Sequence, residues 1–219
     1  MAKVIIFGIR DLAELGNYYL TNDSEHEVVA FTVHKEYKDV DEFKGLPVYE
    51  YETIVEHFSP SEYKLFAPMT ATKMNRLREQ VYLDGKAMGF DFVSYISSKA
   101  TVCDNEIGEN CFILEDNTLQ PFTKIGNNVV MWSGNHIGHH GEIKDHVFFT
   151  SHVVMSGHCV IESYCFFGVN ATIRDGCHVK QGTLLAMSGS LISKETEEWG
   201  VYVGSPAKKK ENKLSHEVF

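Results

Sequence analysis

The sequence predicts a small α/β unit followed by a three-sided parallel β-helix, and three observations carry that prediction. Large apolar residues recur at every sixth position from Ile107 to Leu191. A second, more compact series follows each of them four residues later. The residues ahead of this repeat alternate instead between β-branched runs and stretches with helical patterning.

Stepping by six from Ile107 meets Ile113, Leu119, Ile125, Met131, Ile137, Ile143, Phe149, Met155, Ile161, Phe167, Ile173, Val179, Leu185 and Leu191. In a chain that is 43% hydrophobic, chance gives such a run on the order of once in several hundred thousand trials. Six matches neither the 3.6 of a helix nor the alternation of a flat strand. It suits hexapeptides that each supply a short strand and a turn, three to a coil of about eighteen residues, for roughly five coils. The large series points inward and stacks between coils, while the compact series turns the corners. Cys111, Cys159, Cys165 and Cys177 occupy the compact slot, where a small, weakly polar side chain packs well. With Cys103 they make five cysteines and no C-x-x-C pair, which argues against disulfides and a zinc ribbon. Gly108, Gly126, Gly138 and Gly168 directly follow inward residues and are expected to add backbone freedom there.

Residues 1–94 read as the small α/β (Rossmann-like) domain, 95–192 as the β-helix and 193–219 as a closing C-terminal segment. Lys3–Gly8, Glu27–Val33 and the stretch YKLFAP read as strands. DLAELGNYYL and TKMNRLREQVYLDGKAMG read as helices, and LPVYEYETIVEHF as an extended piece running into a further helix. Such a unit binds ligands at the carboxyl ends of its strands, near Gly8, Arg10 and His34. The loop GIRD lacks the glycine fingerprint of NAD or FAD sites.

A net charge of −10 argues against nucleic-acid binding, which relies on clustered basic residues. No apolar run is long enough to cross a membrane, and the N-terminus lacks a signal-peptide core, so a cytoplasmic location is expected. The one dense basic patch is Lys208 to Lys210.

The hexapeptide pattern resembles the left-handed β-helix acyltransferases. The order of α/β unit, then coils, is similar to bacterial acetyltransferases of nucleotide-linked amino sugars and to sialic acid O-acetyltransferases. That resemblance implies an acetyl-CoA-dependent N-acetyltransferase of surface-glycan biosynthesis, acting as a homotrimer on a nucleotide-sugar. Sugar O-acetylation and a carbonic-anhydrase-like hydratase are the alternatives. NHIGHHGEI resembles the stretch around the family's catalytic base, placing His139 on the base, with Asn135 and His140 among the substrate contacts. Glu142 or water is expected to orient the imidazole. Gly157, eighteen residues on and one coil away, falls on the family's oxyanion-stabilising backbone N–H and on the CoA site. WGVYVGSPAKKK resembles the segment that lines the CoA tunnel, which implies cofactor contacts from Gly204, Pro206 and Lys208. His140 stacks with His158, but Phe122 and Gly176 flank them in the column; two histidines fall short of a catalytic zinc site, and no metal is expected.

Overall fold

The computed structural model describes all 219 residues. β1 (Lys3–Phe7), β2 (Glu27–Val33), β4 (Leu46–Glu50) and β5 (Tyr63–Phe66) form a parallel sheet, and β3 (Glu42–Phe43) pairs antiparallel with β4 at one edge, in the order β3-β4-β2-β1-β5. Alternation along β1 sends Val4 and Ile6 to one face and Ile5 and Phe7 to the other. α1 (Asp11–Asn22) covers the first face through Ala13 and Leu20, and α2 (Arg76–Ala87) covers the second through Val81 and Tyr82.

Two elements differ from the expected ones. Tyr51–Glu56 is a tight 3-10 turn, because Tyr51 and Ile54 both bury and i, i+3 spacing points them inward together. α2 starts at Arg76 because Lys73, Met74 and Asn75 adopt left-handed backbone, which a right-handed helix cannot include. The β3–β4 hairpin, turning at Lys44 and Gly45, was outside the sequence expectations.

The coils form three parallel faces. The first runs from Tyr95–Ile96 through Phe112–Ile113, Val130–Met131, Phe148–Phe149 and Phe166–Phe167 to Leu184–Leu185. It ends on Gly200–Val203 and the antiparallel Lys208–Leu214. The second carries Thr101–Val102, Thr118–Leu119, His136–Ile137, Val154–Met155, Thr172–Ile173 and Ser190–Leu191. The third carries Lys124–Ile125, Glu142–Ile143, Val160–Ile161 and His178–Val179. Partners lie eighteen residues apart, and the inward series forms one continuous buried core with the cysteines at its corners. The coil begins before Ile107: Ile96 pairs with Ile113 and Val102 with Leu119, each seventeen apart. One residue fewer in this first coil breaks the six-residue phase, which hides it from the repeat.

Gly108, Gly126 and Gly138 are required for closeness rather than for backbone freedom, since none has left-handed φ. A Cβ on Gly138 would sit 2.5 Å from the carbonyl carbon of Ser156 in the next coil. The left-handed residue instead comes three after each inward one: Asn128, Gly134, His140, His146, His152, His158, Tyr164 and Asn170 in turn. Asn, Gly and His tolerate that conformation better than other residues, so four of the clustered histidines occupy a backbone niche.

The first face packs on the α1 side of the sheet: Phe112, Leu114, Val130 and Phe148 share a core with Val4, Ile6 and Phe31. Arg78 of α2 crosses to the coil fully buried, donating to Asn128 O at 2.6 Å and to Asn75 Oδ1 at 2.8 Å. No carboxylate pairs with it, and burial pushes its pKa down to about 9.

Candidate active site

The corner after the second face brings His139 against Gly157. Gly138 lets adjacent coils close, and the coils are stitched there by His158 N–H donating to His139 O at 2.9 Å. A Cβ on Gly157 would lie 2.9 Å from His139 Cε1 and 3.1 Å from its Nε2. The exposed imidazole therefore lies directly over the bare glycine backbone of the next coil. At three equivalent hexapeptide positions the N–H is capped by a side chain, Glu109 by Asn127 Oδ1 at 2.9 Å, Asn127 by Asp145 Oδ1 at 2.6 Å and His139 by Gln120 Oε1 at 3.2 Å, while others such as Ser133 and Ser151 carry no cap. The Gly157 N–H has no such acceptor.

His139 Nδ1 lies 3.0 Å from His140 Nδ1. Two neutral imidazoles in this contact must take opposite tautomers, one donating and one accepting. Left-handed backbone at His140 (φ 54°) turns its ring back toward His139 and over His158, with centroids 5.2 Å apart and planes within 20°. Phe122, one coil earlier, closes the stack at 4.7 Å. Glu142, expected with water as an orienting group, is committed to Lys144 on the third face, and the ring in contact with His139 is that of His140.

The other expected residues divide into three places. Gly8 and Arg10 line a cleft of about 560 Å³ at the carboxyl ends of β1 and β2, with Ile9, Val33, Tyr37 and Pro68. Arg10 is exposed at the start of α1 and pairs with Asp39 at 2.8 Å. His34 stands just outside this cleft, held by Glu52 at 2.8 Å and packed edge-on to Phe7 and Tyr51. Glu52 also accepts from Lys35 N–H at 3.0 Å, so it brings a carboxylate to the end of β2 from a distant part of the chain.

Asn135 requires correction as a substrate contact. It is 1% exposed, its Oδ1 accepts from Val153 N–H at 2.7 Å, and its amide nitrogen donates to Trp132 O. It is a corner residue inside the coil.

At the far end of the second face, Ser190 N–H donates to Gly204 O at 3.0 Å and Ala207 N–H to Ser190 O at 2.8 Å. Pro206 follows a cis peptide in that turn. Lys208 is exposed and unpaired, whereas Lys209 is tied to Glu197.

Comparison with solved structures recovers this architecture over nearly the whole chain. Perosamine N-acetyltransferase from Caulobacter crescentus, in complex with CoA and GDP-perosamine, superposes with a TM-score of 0.84 at 18% identity, covering 97% of this chain and 98% of the other. The acetyltransferase domain of PglB from Neisseria gonorrhoeae, with acetyl coenzyme A, gives 0.81 at 18% identity over 95% and 98%. WeeI from Acinetobacter baumannii gives 0.80 at 18% identity over 96% and 100%. No protein-family profile matches the sequence, and no curated protein matches it either. At these identities the likeness establishes the fold, an α/β unit joined to a parallel β-helix.

Proposed function

We propose that the protein is an acetyl-CoA-dependent N-acetyltransferase acting on a nucleotide-linked amino sugar. The observation that carries this reading is the His139 ring set over the uncapped N–H of Gly157. With Nδ1–H of His139 donating to His140, its Nε2 holds the only free lone pair, the arrangement a general base needs. The acceptor amine attacks the thioester carbonyl as Nε2 takes its proton, the Gly157 N–H stabilises the oxyanion, and collapse expels the CoA thiolate. Attack is direct in this reading: the four corner cysteines are buried, and Cys103, partly exposed, lies outside the hexapeptides that carry His139 and Gly157.

The CoA chain would run along the second face from this corner to the Gly204–Pro206 turn, with Lys208 beside its phosphates. The nucleotide would occupy the Gly8–Arg10 cleft. The C. crescentus protein was solved with CoA and a nucleotide sugar, which favours this pairing of ligands. We also read the coils as left-handed and the chain as a homotrimer. The α/β unit covers the first face, and ion pairs such as Lys144–Glu142 and His178–Glu162 coat the third. Exposed apolar residues gather on the second face and its edges: Phe122 (70% exposed), Val154 (40%), Met187 (72%) and Ile192 (57%).

The test is a panel of nucleotide amino sugars with acetyl-CoA, read by mass spectrometry. The reading expects release of CoA and a product 42 mass units heavier (roughly one acetyl group) that survives mild base, as an amide does. A base-labile product would mark a hydroxyl acceptor instead, and absence of any transfer across the panel would count against the proposal.

A further inference from the structure

We propose that His139, His140 and His158 form an inhibitory binding site for a zinc-class divalent ion, whose occupancy switches the proposed acetyl transfer off. The proposal rests on His139 being the base. Along the column at eighteen-residue spacing only His140 and His158 follow one another, so spacing suggests two ligands. The structure supplies the third from the adjacent column. One nitrogen from each of the three rings lies within 4.8 Å of the other two. His139 stands perpendicular to the stacked pair, at 5.1 Å from His140 and 5.0 Å from His158, each with planes at 89°. An imidazole binds a metal through a lone pair in its ring plane, so the stacked His140 and His158 rings must tilt toward each other before all three donors meet at one ion.

The chemistry of the donor set selects the ion. Three imidazoles with no carboxylate among them suit Zn²⁺, Co²⁺, Ni²⁺ or Cu²⁺ and disfavour Mg²⁺ and Ca²⁺, which want oxygen. Zinc–nitrogen bonds of about 2.0–2.1 Å place tetrahedral ligand atoms roughly 3.4 Å apart. All three side chains are exposed, so their rings are free to close that gap without disturbing the core. Water would complete the fourth position.

Inhibition follows from counting lone pairs. A neutral imidazole has one ring nitrogen carrying hydrogen and one carrying a lone pair. If the ion takes Nδ1 of His139, the hydrogen must sit on Nε2, and that nitrogen cannot accept a proton. If the ion takes Nε2, the lone pair is already shared. Either geometry removes the base. Binding through Nδ1 also breaks the His139–His140 hydrogen bond that sets the tautomer.

The experiment uses the chelator-stripped full-length protein, with Zn²⁺ as ligand in calorimetry and Co²⁺ as the spectroscopic probe. Wild type should bind one Zn²⁺ per chain, and Co²⁺ should show the intense visible bands of tetrahedral coordination. Transfer should fall in step with Zn²⁺ occupancy and return with EDTA. His158→Gln should retain most of the metal-free activity, because the only ring hydrogen bond of His139 is to His140 and the His158 ring packs edge-on beside it without one. Its Zn²⁺ affinity should drop at least about tenfold, with the inhibition midpoint rising by the same factor. Absence of stoichiometric binding, or equal Zn²⁺ affinity in His158→Gln, overturns the site. Stoichiometric binding that is lost in His158→Gln but leaves wild-type transfer unaffected overturns the inhibition and, separately, the assignment of His139 as base.

Discussion

Replacing Gly157 with alanine separates catalysis from stability at a single atom. The added Cβ would sit 2.9 Å from His139 Cε1, where carbon atoms prefer about 3.5 Å, so the ring must retreat by roughly 0.6 Å. His139 is exposed and its ring is the free end of a side chain, so the retreat costs little folding energy. Gly157 does not have left-handed φ, and alanine narrows the unfolded ensemble, a gain of about 0.4–1 kcal/mol that offsets the contact. Stability should therefore change by less than about 1 kcal/mol. Misplacing a catalytic group by the better part of 1 Å costs up to about 10²-fold, so the rate should fall roughly 10- to 100-fold, or ~1.4–2.7 kcal/mol in the barrier. Gly138→Ala is the control: its Cβ would meet the backbone of Ser156 and Gly157 at 2.5 and 2.6 Å, and backbone cannot step aside. That variant should lose about 2–4 kcal/mol of stability. Thermal unfolding and steady-state transfer assays on both variants check the pair. Wild-type turnover in Gly157→Ala, or a stability loss matching that of Gly138→Ala, would refute the geometry argued for this corner.

Arg78→Ala should destabilise the chain by roughly 3 kcal/mol in denaturant unfolding, since Asn75 Oδ1 and Asn128 O lose their donor; Arg78→Met should cost less because it refills the volume and removes an unpaired buried charge. Asp23 accepts from Tyr95 Oη at 2.6 Å and Ser98 N–H at 2.9 Å, and hydrogen bonding from the Ser98 side chain, then Tyr95, then the Ser98 N–H holds its carboxyl at about 2. A depressed carboxyl stabilises the fold above its unfolded value near 4 and loses that contribution as pH falls toward 2. Asp23→Asn should thus lower stability by about 1 kcal/mol at neutral pH, discounted for solvent screening, and the difference from wild type should vanish by about pH 2. Val154→Lys puts a charge in the middle of the second face and should shift the species seen by light scattering from the proposed trimer to monomer; an unchanged mass would exclude that face as the interface.

The coil was legible in the sequence because a β-helix writes its geometry at constant spacing: Ile113, Met131 and Phe149 are eighteen apart and stack eighteen apart. The same arithmetic places His139 and Gly157 at one corner from the sequence alone. What escaped depends on backbone handedness or on contacts without a period. The left-handed slot at His140 and His158 aims their rings, and spacing says nothing about that direction, so the contact with His139 was missed. The seventeen-residue first coil erased the phase before Ile107. The resemblance put Asn135 among the substrate contacts, whereas the corner geometry turns it inward to the backbone. Arg78 gave no sequence signal, since an arginine within an amphipathic helix ordinarily faces water.

His139→Asn, assayed for acetyl transfer and for CoA binding in the same preparation, bears most directly on the whole account. The side chain remains polar and close in size but has no lone pair basic enough to take the amine's proton. Turnover should fall by about 10²- to 10⁴-fold while CoA affinity stays within a factor of about two. Turnover equal to wild type would contradict the account, because the corner where His139 meets Gly157 would then be scaffold alone.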